Sequence, residues 1–417
     1  MSEALHSPIE VRLEAAGLPP LPRSAWLEID VAALAANVAT LRSLLQPDVR
    51  LAAVVKADAY GHGLVPVARV FAEAGADYLC VATLDEALAV AGTRTGVPVL
   101  ALFEPPPDGI AAAATAGVEV TLATEDAVRA VERARLPAGV PLRVHLEIDT
   151  GLRRAGVPVD RAGQIAASLA RLPGVEVVGT WTHLASAHDA SVSIRQDRRF
   201  RDASAAVEEA VGRTVLRHIA ATGGVLASTT PQYDMVRLGL SLYGLLPDAF
   251  PAAAGARTAT AVLRPAMSLH ARPLRVADVE TGDGVGYGAR WRAERPSRIA
   301  TLPVGYGDGW TYVSAGRTSA LVRGRRVPLV GSVAMDAIAA DVTDVPGVGP
   351  EDEFVLLGSQ GPEQITALEL ARERTTIPWE IVTGMAWRLP RVYDAGGEVL
   401  SVRTLSGEVR AAGARAR

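Results

Sequence analysis

The apolar positions change rhythm three times along the chain. Residues 1–22 form a proline-containing lead-in through Leu18-Pro-Pro-Leu-Pro to Arg23, read here as an arm lying on the surface. Trp26-Leu-Glu-Ile-Asp30 then alternates like a strand, and Val31 to Leu44 repeats apolar residues at helical spacing through Leu34, Val38 and Leu41. Next come short apolar runs, most of them nearly continuous: Arg50–Lys56, Tyr78–Ala82, Pro98–Phe103, Glu119–Ala123, Arg143–Ile148, Val175–Thr182 and His218–Ala221. Alanine-rich stretches such as Asp85–Ala91, Glu125–Arg135 and Ala162–Leu172 lie between them and predict helices. Strands without alternation, separated by helices, are buried on both faces and so belong to a parallel sheet. About eight such units fit a (β/α)8 TIM-like barrel over residues 23–262 better than the alternative, an open doubly wound sheet.

After residue 262 the texture changes. The apolar segments become short, β-branched and broken by glycine and proline, as in Arg298–Val304, Thr318–Arg323 and Glu353–Leu357. Only Ile365–Glu373 reads as helix. Residues 263–400 are therefore expected to form a mostly-β domain, and 401–417 a solvated tail. The expected class is α/β followed by β.

Composition narrows the function classes. Of 417 residues, 49% are hydrophobic and 21% charged, which suits a well-cored globular protein and argues against disorder. A formal net charge of -4 with interspersed signs gives no nucleic-acid footprint. No apolar run reaches the length of a membrane span, and Met1 begins no basic-plus-apolar leader, so a cytoplasmic enzyme is expected. The single cysteine, Cys80, excludes an intramolecular disulfide and reads as a core residue. His62, His145, His188, His218 and His270 lack metal-ligand spacing, so no metal is assigned.

The most informative segment is Val54-Val-Lys56-Ala-Asp-Ala-Tyr60-Gly61-His62-Gly63. A lysine at the C-terminal end of a barrel strand sits where such folds build active sites. Partial desolvation there favours the neutral amine, which can attack an aldehyde and form a Schiff base. A lone lysine more often snorkels into water; the Tyr60-Gly-His-Gly turn that follows, able to bring a phenol and backbone close to a ligand, shifts the balance toward chemistry.

This segment resembles the pyridoxal-phosphate attachment motif of bacterial alanine racemases, which are fold-type III pyridoxal-phosphate enzymes. The resemblance continues through Trp26-Leu-Glu-Ile-Asp30, Asp149-Thr-Gly-Leu-Arg-Arg154, Thr182-His183, Asp234-Met-Val-Arg237-Leu-Gly239, Val285-Gly-Tyr287-Gly, Val304-Gly-Tyr306-Gly-Asp-Gly309 and Met335-Asp336, and so spans residues 23–394. It implies that Lys56 holds pyridoxal 5'-phosphate and acts as one base. It implies Tyr287, reaching in from the partner of a head-to-tail homodimer, as the other, so that a proton leaves one face of the substrate and returns to the opposite one. His183 and Arg237 are implied to assist Tyr287, with Arg237 facing the pyridine nitrogen as a permanent cation. The phosphate falls to Tyr60, Thr222 and the amides of Gly239 and Leu240, with Trp379 standing where the family commonly has a phosphate-reaching tyrosine. Arg154 and the Met335 amide are implied for the substrate carboxylate. Tyr306, Met335 and Asp336 line the substrate entrance, and His218 supports the site. Glu147 occupies a position where many family members carry a lysine that can be carbamylated, and is read as a built-in carboxylate that orients Arg154.

The implied function is racemisation of L- and D-alanine to supply D-alanine for peptidoglycan. Three rivals stay open: a broad-specificity or serine racemase on the same scaffold, an amino-acid decarboxylase of the same barrel-plus-β class, and a non-catalytic pyridoxal-phosphate carrier. The combination of Arg237 and Tyr287 argues against the decarboxylase, and the β-domain with Tyr287 argues against the carrier.

Overall fold

The computed structural model describes residues 7–248 and 252–413. These form two compact units, one comprising residues 35–244 and 252–263, the other residues 7–34, 245–248 and 264–413.

The first unit is a parallel barrel. Its strands are Arg50–Val54, Tyr78–Val81, Val99–Ala101, Glu119–Leu122, Leu142–Asp149, Val175–Trp181, Leu216–His218 and Met235–Leu238. They pair in chain order, and the last pairs back onto the first through Met235↔Arg50 to Leu238↔Ala53. Between Leu216–His218 and Met235–Leu238 the ladder shrinks to one bridge, Ala221↔Arg237, so the barrel is nearly closed. Strand interiors such as Leu51, Ala52, Ala53, Leu79, Cys80 and Leu100 have no exposed surface, as runs without polar alternation require. The longest helix, Ala190–Val211, begins where the Asp189 carboxylate accepts from the Ser191 and Val192 amides.

The expected fold is observed, with three corrections. Trp26–Asp30 does not open the barrel. Ala25–Asp30 lies in the β-rich unit, antiparallel to Met267–Ala271 and parallel to Arg391–Ala395. Met235–Leu238 supplies the eighth barrel strand instead. Local alternation reports a strand but not the sheet that recruits it.

The second correction concerns the lead-in. Ile9–Ala15 is a helix, and its i, i+4 pair Ile9 and Leu13 is buried against Leu18, Trp26, Val392, Val399 and Val402. Leu13→Ala is accordingly expected to cost about 2–4 kcal/mol, read as a fall in the thermal midpoint. A loss below about 0.5 kcal/mol would fit an arm on the surface instead. Third, the expected tail continues the sheet: Glu398–Thr404 pairs with Arg391–Ala395 and with Gly407–Arg410. Among the described residues, the β-rich unit otherwise holds a 12-stranded sheet, the short pair Gly284–Val285 and Trp291–Arg292, and the helices Ala367–Glu373, which is expected, and Pro378–Thr383, which is not. Among the described residues, no helix is long and apolar enough to cross a membrane.

Candidate active site

The barrel gathers most of the candidate residues at the C-terminal ends of its strands. Lys56 follows Arg50–Val54 directly, and the backbone after it is unusual. Ala57, Asp58, Ala59 and Tyr60 have φ of 53°, 54°, 53° and 52°, four consecutive non-glycine residues in the left-handed region. Each costs roughly 1–2 kcal/mol for an L-residue, so the turn must be held by its surroundings. The Ala57 amide donates to Glu86 Oε1 at 2.7 Å, the Leu64 amide to Asp58 Oδ1 at 2.7 Å, and the Gly63 amide to the Asp58 carbonyl at 2.7 Å. The buried His62 ring lies with Nδ1 2.9 Å from the Tyr60 carbonyl oxygen. Strain of this kind concentrates where a side chain must be aimed. Here the strained turn follows Lys56 directly and ends on the buried Tyr60.

Tyr60 is buried against Tyr243, with ring centroids 4.8 Å apart, and Tyr243 donates its hydroxyl to the Val54 carbonyl at 2.9 Å. Burial pushes the Tyr60 phenol well above its ordinary range, so it remains a hydrogen-bond donor. A Cβ on Gly239 would lie 2.5 Å from Tyr60 Oη, so the glycine is what lets the phenol approach this backbone. The Gly239 amide donates to Thr222 Oγ1 at 3.2 Å, and Thr222 Oγ1 lies 3.1 Å from Ser241 Oγ. Leu240 follows in the same buried turn. Phenol, hydroxyls and amide thus meet at one buried turn, four residues along the chain from Lys56 at Tyr60.

Arg237 is 2% exposed. Its Nη1 donates to His218 Nδ1 at 2.8 Å, and its Nη2 lies 3.2 Å from His183 Nδ1 and donates to the Thr182 carbonyl at 2.9 Å. Its guanidinium carbon sits 4.7 Å from the Trp181 ring centre. Burial pulls the Arg237 pKa down to about 10, which leaves it cationic at neutral pH. Burial, with Arg237 and Arg154 adding repulsion, pulls His183 down to about 3 and keeps that ring neutral. The Lys56 ammonium is likewise lowered, first by burial and then by Arg154. That is the direction a nucleophilic amine needs.

Glu147 lies near the end of Leu142–Asp149 and is 2% exposed. Arg154 Nη2 is 3.7 Å from Glu147 Oε1, and the Arg154 guanidinium carbon is 5.7 Å from the Phe103 ring centre. Burial pushes the Glu147 carboxyl up to about 7, although Arg154 and Arg237 pull it down.

The remaining candidates belong to the β-rich unit. Tyr287 heads a short turn, is 78% exposed, and has its carbonyl held by the Ser332 hydroxyl at 2.9 Å. Tyr306 and Met335 are joined through backbone: the Tyr306 amide donates to the Ala334 carbonyl and the Gly307 amide to the Met335 carbonyl. Arg388 ties this loop together, donating to Asp308 Oδ1 at 2.8 Å and to Asp336 Oδ1 at 2.7 Å. Met335 is half exposed and therefore no core residue. Trp379 sits half-buried on Pro378–Thr383. Sequence reasoning passed over Tyr243, Ser241 and Arg388, none of which carries a motif of its own.

Two family models cover most of the chain: the alanine racemase N-terminal domain matches residues 29–247 and the C-terminal domain residues 266–393. The chain belongs to the alanine racemase family. It is 40% identical over 381 residues to the alanine racemase of Symbiobacterium thermophilum, covering 90% of this chain and 98% of that protein. It is 37% identical over 374 residues to that of Desulfovibrio desulfuricans, covering 89% and 98%. Among solved structures, alanine racemase from Bacillus anthracis with bound L-Ala-P superposes with a TM-score of 0.84 at 33% identity, covering 92% of this chain and 98% of that one. The enzyme from D-cycloserine-producing Streptomyces lavendulae gives 0.80 at 34% identity, covering 90% and 98%. As an alanine racemase family member, the chain is an isomerase.

Proposed function

We propose that this family member interconverts L- and D-alanine with pyridoxal 5'-phosphate bound at Lys56. The observation that carries the reading is Lys56 at the C-terminal end of a barrel strand, followed by a left-handed turn, with the buried cation Arg237 on the neighbouring strand. The residues present fit the cofactor. The Gly239–Tyr60 approach and the Thr222 hydroxyl suit a phosphate, with the Leu240 amide beside them. Arg237 suits an unprotonated ring nitrogen, since a guanidinium donates and does not accept. When bound, the cofactor withdraws electrons from the substrate's Cα and acidifies its hydrogen.

Lys56 Nζ then moves a proton on one face of Cα, and the phenol oxygen of Tyr287 of the partner subunit moves one on the other. His183, neutral and hydrogen-bonded to Arg237, orients that exchange. Arg154 binds the substrate carboxylate, helped by the Met335 amide. Tyr306, Asp336 and Trp379 shape the entrance, and the assembly is a head-to-tail homodimer. The same proposal places the enzyme in the cytoplasm, supplying D-alanine to peptidoglycan.

The deciding experiment measures racemisation of L-Ala, L-Ser and L-Lys by circular dichroism, alongside solvent deuterium exchange at Cα. Alanine is expected to be fastest. A serine or lysine rate above that of alanine would indicate a broad-specificity enzyme. Bound cofactor colour without exchange would indicate a carrier, and carbon dioxide release a decarboxylase.

Glu147 gives a pH prediction. Its carboxyl is raised toward neutrality, so it holds a proton below about pH 7 and leaves Arg154 without its anionic neighbour. KM for alanine is therefore expected to rise about fivefold from about pH 8 to about pH 6, the difference between a charged and a neutral partner being about 1 kcal/mol. In Glu147→Gln the higher KM should persist across this range. Equal pH slopes in parent and variant would remove Glu147 from the substrate site.

A further inference from the structure

The barrel interior holds a line of buried polar groups that the proposed site leaves unused. Glu119 and His145 sit on neighbouring strands, Glu119–Leu122 and Leu142–Asp149, and His218 ends a third. Glu119, His145 and His218 are 1%, 0% and 0% exposed. Arg143 Nε donates to Glu119 Oε1 at 2.7 Å. Glu119 Oε2 lies 2.7 Å from His145 Nε2, His145 Nδ1 lies 3.0 Å from His218 Nε2, and His218 Nδ1 faces Arg237 Nη1 at 2.8 Å.

Donor and acceptor rules leave one arrangement for neutral rings. The guanidinium has protons only, so His218 Nδ1 must accept and the His218 proton must sit on Nε2. That N–H donates to His145 Nδ1, which places the His145 proton on Nε2. The His145 N–H donates to Glu119, which accepts from Arg143 as well. The line therefore runs in one direction, from the cation Arg237 to the anion Glu119. Burial pushes the Glu119 carboxyl up, but its hydrogen bonds from His145 and Arg143 outweigh that and hold it below its usual range. Burial drives His218 well below its ordinary value, which keeps the ring neutral.

The packing is equally specific. A Cβ on Gly179 would lie 2.1 Å from His145 Nδ1, so only glycine admits this imidazole. The His218 ring stacks on Trp181 at 5.9 Å and 10°, the same indole that faces Arg237.

We propose that Glu119 and His145 are positioning residues that orient Arg237 through His218 by fixing the tautomers of both rings. The role rests on the reading that Arg237 faces the cofactor ring nitrogen. A half-satisfied buried network would be worse than none, and here the two ends agree: Arg237 can only donate and ionised Glu119 can only accept, so every donor along the line is set the same way from both sides.

The test uses the full chain labelled with 15N-histidine. Long-range 15N–1H spectra of the parent should show His145 and His218 both protonated at Nε2 only. Glu119→Gln should disturb this: with its amide oxygen on Arg143, its NH2 faces His145, which moves the proton to Nδ1 and sets N–H against the guanidinium. In the cofactor-loaded protein, kcat is expected to fall about ten- to a hundredfold through misplacement of Arg237. KM for alanine should stay within about twofold, since the pair Arg154 and Glu147 is not part of the line, and the visible cofactor band should shift. Glu119→Asp keeps the charge and should retain the parental tautomers and most of kcat. An Nδ1-protonated His145 or His218 in the parent would overturn the proposal. So would Glu119→Gln with parental tautomers, or with changed tautomers but parental kcat and cofactor band. The ring protons are read from the protein itself, so failure of the line is distinguishable from failure of the cofactor reading, which would appear as a parent that binds no pyridoxal phosphate.

Discussion

Lys56→Ala is expected to lower kcat/KM for alanine by at least about 10³-fold, because on the proposed reading it removes one proton-transfer group together with the anchoring amine. Tyr287→Phe should lose about 10²- to 10⁴-fold, the span of a single acid–base group. The informative experiment mixes the two inactive proteins. Tyr287 is 78% exposed in its own chain and belongs to a different unit from Lys56. If the phenol acts in the partner's barrel, each mixed dimer holds one intact site and one doubly damaged site. Random exchange at equal concentrations makes half of all dimers mixed, so activity should return to about a quarter of the parental value. Circular dichroism of alanine follows the recovery, and a size or tag assay confirms the exchange. Activity that stays at the level of the separate variants after confirmed exchange would assign Tyr287 to its own chain.

What could be read from the residues alone divides along a physical line. The barrel was legible because most of its strands are short apolar runs separated by helices, although Leu142–Asp149 alternates, and that pattern needs no knowledge of partners. The assignment of Ala25–Asp30 was not, because its pairing partners, Met267–Ala271 and Arg391–Ala395, lie more than two hundred residues away in sequence. The helix Ile9–Ala15 was hidden by the prolines around it, although Ile9 and Leu13 carry the spacing that buries it. At the site, Lys56 stood out because a charged residue closes an apolar run. The left-handed turn of Ala57–Tyr60 was invisible, since alanine and aspartate do not announce positive φ. Glu119 and His145 were unreadable for the opposite reason. Each shares its strand with other polar residues that have different partners, and only the barrel's closure brings these two into line with His218 and Arg237.

Arg154→Ala should raise KM for alanine about a hundredfold while leaving cofactor binding intact. A paired carboxylate–guanidinium contact contributes about 1.5–3 kcal/mol, and the bidentate form reaches the upper part of that range. The substitution has a second consequence inside the protein. Glu147 is 2% exposed and has Arg154 as its charged neighbour at 3.7 Å. Without that cation, its carboxyl, already raised to about 7 by burial, is driven further toward the protonated form. On the proposed reading, the variant thus loses the group that binds substrate and neutralises the one that orients it. Arg154→Lys separates these effects: the ammonium keeps the charge beside Glu147 but cannot make two parallel hydrogen bonds. Its KM should fall between the two, about tenfold above the parent. Adding Glu147→Gln to Arg154→Ala should then change KM little, because the carboxylate acts only through the arginine. A further large rise in the double variant would mean that Glu147 meets the substrate directly, and a KM for Arg154→Ala within about twofold of the parent would mean that another group holds the carboxylate.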